Sequence, residues 1–132
     1  MFDYIDEETK NEILKLPHTD FNPVYRALHS ETITRDDFLP TCIENRKKNK
    51  NKAAIQNRLS YYSVSLSKTK EGIETIKQSS PVFAENHKGL ACGFTSEERG
   101  ISNQSKPNSP HVDYYLYDCE SNNPSDDFEV VL

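Results

Sequence analysis

An arginine, two serines and a glutamate, each inside a short segment with strand-like alternation, are the residues of this chain with most to offer chemically. Arg26 stands in Val24-Tyr25-Arg26-Ala27-Leu28-His29. Ser63 and Ser65 stand in Tyr62-Ser63-Val64-Ser65-Leu66-Ser67, and Glu129 in Asp127-Phe128-Glu129-Val130-Val131. A guanidinium holds a phosphate or carboxylate through two parallel hydrogen bonds. Strand hydroxyls can line a polar pocket, and a carboxylate can orient a ligand hydroxyl.

Strand alternation sets where these groups point. The same-face neighbours of Arg26 are Val24 and Leu28, so its guanidinium is directed inward, where an uncompensated charge is costly. Its partner is then internal, with Glu129 and Asp113 as candidates, or a ligand anion. Ser63 and Ser65 are either the solvent-facing half of an edge strand or the hydroxyls of a pocket. In the strand that starts at His111, one face carries His111, Asp113, Tyr115 and Tyr117. There His111 is either a strand-end cap or an imidazole oriented by Asp113 and able to titrate. If the two polar faces converge, they form a cleft suited to a nucleotide, with Tyr115 beside the ligand. His18, His29 and His87 share no metal-binding motif, and no phosphate-binding glycine loop or nucleophile elbow occurs.

The order Arg26, Ser63 and Ser65, then Glu129 resembles the arginine-serine-glutamate subgroup of the ADP-ribosyltransferase superfamily. That resemblance implies a cleft for NAD, with Arg26 on a phosphate, Ser63 and Ser65 around the nicotinamide ribose, and Glu129 or His111 as the polar catalytic group. A looser resemblance is to short bacterial and phage proteins with an Arg…Ser-Val-Ser…His layout, matched by Arg26, Ser63-Val64-Ser65 and His111. The first resemblance, with the inward Arg26, implies a compact ADP-ribosyltransferase-like or NAD-derivative-binding domain of a mobile-element toxin or defence type; the second carries no assigned activity.

The elements that must position these groups follow from pattern and composition. At 132 residues the chain is expected to form one domain. Only 34% of residues are hydrophobic, and 7 Tyr and 6 Phe supply much of the apolar area. A helix is expected over 6–16, ended by Pro17, inside an N-terminal helical region 1–20. Strands are expected over 24–29, 61–66, 90–94, 112–117 and 128–131, with a helix over 70–77 and a helical turn over 95–100. Residues 101–110 read as a loop, and the two last strands as a wide hairpin. The resulting fold class is α+β: a small, mostly antiparallel sheet of four or five strands with two or three short helices on one face.

Charge and cysteine content narrow the partners. The net charge is −5, yet 45–58 holds Arg46, Lys47, Lys48, Lys50, Lys52 and Arg58 without an acid, which reads as a basic flexible loop. The remainder is strongly acidic, which disfavours nucleic acid. No segment has the apolar length of a membrane span or of a signal peptide. The scattered Cys42, Cys92 and Cys119 fit a reducing, cytoplasmic setting. Asp113, Asp118, Glu120, Asp126, Asp127 and Glu129 crowd the C-terminal end. A second function class follows from this: a non-catalytic interaction module, such as an inhibitor, immunity protein or accessory subunit, that meets a protein partner through an acidic surface.

Overall fold

The structure is a computed structural model, and it describes residues 5–43, 59–117 and 122–131. The basic run 45–58 lies outside them. The strands are β1 (Val24–Leu28), β2 (Val64–Ser67), β3 (Gly89–Gly93), β4 (Gly100–Gln104), β5 (His111–Leu116) and β6 (Phe128–Val130). They form one antiparallel sheet in the order β4-β5-β2-β1-β3-β6.

Six strands replace the four or five expected. The additional one is β4, whose Ser, Asn and Gln have poor strand propensity. Its hairpin with β5 makes it a strand, from Gly100↔Leu116 to Gln104↔Val112. Its outer edge is partly occupied by the chain after the first helix: Thr19 N donates to the Ser102 carbonyl at 2.8 Å, and Ser102 N donates to His18 Nδ1 at 3.0 Å. The expected hairpin between the last two strands does not form. β5 pairs with β4 and β2, while β6 crosses to the far edge and pairs with β3.

The two faces of the sheet are closed differently. On one, Val24, Leu28, Val64, Leu66, Val112, Tyr114 and Leu116 pack into the main core. Loops rather than helices cover it: the 3-10 turn Arg35–Phe38 brings in Phe38, whose ring lies 4.8 Å from that of Phe128. On the other face, α1 (Glu7–Leu14) sets the buried Ile13 against Ile101 and Tyr115. Beside it α2 (Lys70–Ser79), capped by Thr69, buries Ile73, and Ser80 caps the short α3 (Pro81–Asn86). α1 covers the β4–β5 side of that face, and α2 lies over β1 and β2. No helix among the described residues is long and apolar enough to cross a membrane.

The C-terminal strand is held by a side chain. Arg99 Nε donates to Asp127 Oδ2, and Arg99 Nη2 donates to Asp127 Oδ1 at 3.2 Å. Asn122 Nδ2 donates to the Tyr117 carbonyl at 2.6 Å and to the Arg99 carbonyl at 2.9 Å. These bonds fasten the start of the 122–131 segment beneath the main core, so Phe128 reaches Phe38. Phe38→Ala is therefore expected to cost about 3–5 kcal/mol. Combined with Phe128→Leu, it should show a coupling of about 0.5–1.5 kcal/mol in urea denaturation, as a packed ring pair requires.

Candidate functional site

Arg26 is buried, at 7% exposure, and it wedges between two strands. β1 and β3 stay paired from Val24↔Gly93 to Leu28↔Gly89, whereas the ladder between β1 and β2 is limited to Tyr25↔Ser67. Where it lapses, Arg26 Nη1 donates to the Ser65 carbonyl at 2.9 Å and Nε donates to the Asp37 carbonyl at 2.8 Å. The guanidinium thus satisfies backbone acceptors of β2 and of the covering loop.

Asp37 organises that loop through its side chain as well. His29 N and His29 Nδ1 meet its Oδ1 at 2.9 and 2.8 Å, and Thr34 N donates to Oδ2 at 2.9 Å. Burial alone would raise the Asp37 carboxyl. The hydrogen bonds from His29 and Thr34 together outweigh it and hold the group below its ordinary value.

The lapse in the ladder opens a cavity of about 190 Å³ on the helical face. Its walls come from β1 and β2 (Ala27, Ser65, Ser67), α2 (Gly72, Ile73, Ile76), Phe83 of α3 and the turn entering β5 (Ser109, Pro110, His111). The fit of α2 is close: a Cβ at Gly72 would stand 2.2 Å from Ser67 Oγ. Glycine at this position lets the helix approach β2 and roof the cavity.

A chain of polar side chains runs from the cavity wall into the protein. Ser105 Oγ bonds His111 Nδ1 and also donates to Asp113 Oδ2 at 2.8 Å. Asp113 is 4% exposed, and its Oδ1 lies 3.1 Å from Ser63 Oγ and 3.5 Å from His111 Nδ1. Ser63 Oγ also reaches the Ser60 carbonyl at 2.8 Å. Sequence reasoning missed Ser105, which fell in the segment read as a loop. The turn composition Lys106-Pro107-Asn108-Ser109 was the available signal, because a hairpin closed there places 105 beside 111.

The site residues expected from sequence thus separate into several settings. Ser65 and His111 line the cavity, and Arg26 is part of its wall. Ser63 is buried behind it on Asp113. Tyr115 lies 3% exposed in the apolar cluster under α1, where burial, with the charge of Asp113 adding to it, pushes its hydroxyl far above the usual tyrosine range. Glu129 is exposed on β6. The register His111↔Ser67, Tyr25↔Ser67, Tyr25↔Cys92, Cys92↔Glu129 puts it in the same cross-strand row as His111. The row is long. Three strand spacings, roughly 14 Å, separate β6 from β2, and a fourth, roughly 19 Å in all, from β5. The structure therefore brings together His111, Ser65 and the wall at Arg26, and leaves Glu129 at the opposite edge.

A second, open hollow of about 340 Å³ lies at that edge, lined by Phe94, Asp126, Asp127, Phe128 and Glu129 among others. No group of three His, Cys, Asp or Glu among the described residues is placed to hold a metal ion. Comparison with protein-family models, curated proteins and solved structures finds no match for this chain.

The hydrogen bonds to Asp37 carry a pH dependence whose sign is fixed. Its carboxyl is lower in the folded than in the unfolded chain, so it stabilises the fold above the ordinary carboxylate value and loses that contribution as pH falls through the lowered one. Asp37→Asn should be less stable than the native protein at neutral pH, because its amide nitrogen must face an N–H donor. Urea midpoints measured over a pH series should converge below about pH 4.

Proposed function

We propose that this chain is a small-molecule-binding domain that takes one ring-sized, largely apolar group into the cavity under α2. The observation that carries this reading is the cavity itself, with walls of Ala27, Ile73, Ile76, Phe83 and Pro110 and its polar groups at Ser65, Ser67, Ser109 and His111. Apolar walls with a few placed polar atoms are the usual make-up of a ligand site. Its volume is close to that of engineered cavities of about 150 Å³ that hold benzene. A nucleotide or NAD-derived ligand would fit by its nicotinamide or base ring alone, with its phosphates outside.

Titration with toluene and with nicotinamide, followed by amide chemical shifts, tests the reading. At least one ring should move the signals of Ala27, Ile73 and His111 together. Ala27→Leu, which fills the space, should abolish those shifts while the spectrum stays that of a folded protein. Shifts scattered over the surface, or unchanged in Ala27→Leu, would remove the proposal.

The outer hollow favours a second reading, an interaction surface on the acidic C-terminal edge. There the exposed Phe94 adjoins Asp126 and Glu129. Asp127 is already engaged by Arg99, which leaves Asp126 and Glu129 as the charges offered to a cationic partner. Neutralising both as Asp126→Asn and Glu129→Gln should weaken adsorption to a cationic peptide surface several-fold at low salt. Unchanged adsorption would leave this edge without a role.

A further inference from the structure

We infer that Ser105 and Asp113 lock His111 in the tautomer with its proton on Nδ1, so that Nε2 of the neutral ring is a hydrogen-bond acceptor and the cavity selects rings that carry an N–H or O–H donor. The inference rests on the small-molecule reading above and deepens it by naming the ligand chemistry.

Protons and lone pairs around His111 fix the tautomer. A carboxylate accepts and cannot donate, so the Ser105 hydroxyl, 2.8 Å from Asp113 Oδ2, must spend its one proton there. The oxygen of Ser105 then offers a lone pair to its other partner, His111 Nδ1. A lone pair on Nδ1 would face a lone pair on oxygen, and a proton on Nδ1 makes the bond. Asp113 Oδ1, 3.5 Å from Nδ1, favours the same proton. Ser63 Oγ lies behind the carboxylate, 3.1 Å from Oδ1, and shares its one proton between that oxygen and the Ser60 carbonyl.

Neutral imidazole has one N–H. With that proton on Nδ1, Nε2 has an unshared pair, and His111 lies in the cavity wall. Phosphate or carboxylate groups gain nothing from such an acceptor. A phenol, an aromatic amide or an amino-substituted ring does. The control sits outside the cavity walls, on a loop serine whose side chain never needs to touch the ligand.

Two measurements decide the matter. Long-range nitrogen–proton NMR of the ligand-free protein, under alkaline conditions that keep imidazoles neutral, should show a protonated Nδ1 and an unprotonated Nε2 for His111. Ser105→Ala, a change at an exposed position, should shift the ring toward the other tautomer. The reverse tautomer in the native protein, or an unchanged ring in Ser105→Ala, would overturn the inference.

Affinities for phenol and toluene supply the second readout. The phenol-to-toluene ratio should fall roughly 10-fold in His111→Phe, since a buried hydroxyl then lacks its acceptor, and several-fold in Ser105→Ala, with toluene affinity in Ser105→Ala unchanged. Ratios equal in all three proteins would overturn the inference while leaving the cavity reading intact. Failure of both rings to bind would instead remove the cavity reading, and the tautomer measurement would still judge the lock.

Discussion

The structure depends on the place where β1 and β2 part. Two antiparallel strands that are paired at Tyr25↔Ser67 and not beyond it would leave buried backbone acceptors bare. The Arg26 guanidinium enters that opening and donates to the Ser65 carbonyl on one strand and the Asp37 carbonyl on the covering loop. Buried acceptors without donors cost about 1–3 kcal/mol each, so the sheet can open at this point only because a long cationic side chain closes the account. The same opening admits a cavity on the helical face. A structural arginine and a ligand-sized space are two consequences of one interruption.

Around that point the molecule divides its labour by face. The loop-covered face holds the main core and ties the chain's distant parts together through Phe38, Phe128 and the Arg99–Asp127 pair. The helical face has a lighter cover. α2 buries Ile73 and leaves Ile76 at 40% exposure, and α3 has no fully buried side chain. Elements held by few buried contacts open at low cost, which is the property a ligand needs of a cavity roof.

Polar satisfaction links the two faces. Asp37 and Asp113 are both buried, and each has its oxygens met by hydroxyl, imidazole or backbone donors. Asp37 uses those bonds to fix a loop. Asp113 uses them to orient a ring that faces a cavity. The chemistry of the partners is similar, and location separates the structural role from the one with functional content.

Much of the fold was legible in the sequence because its signals are local. Pro17 shortly after α1, the inward direction of Arg26 and the shared face of His111 and Asp113 all follow from periodicity and from the missing N–H of proline. Strand β4 was not legible, since its Ser, Asn and Gln acquire strand geometry only from pairing with β5. The destination of β6 was equally hidden. Nothing in Phe128-Glu129-Val130 distinguishes β3 from β5 as a neighbour, and the choice is made by Phe128 against Phe38 and by Asp127 on Arg99. That choice carried Glu129 to the far edge, away from the serines and the histidine that precede it in the sequence. By itself the sequence determined which side chains share a face of a strand, because alternation is a property of the backbone. Which strands become neighbours, and therefore which of those faces meet, was decided only by tertiary packing, where burial and long-range hydrogen bonds act between residues that the chain order does not relate.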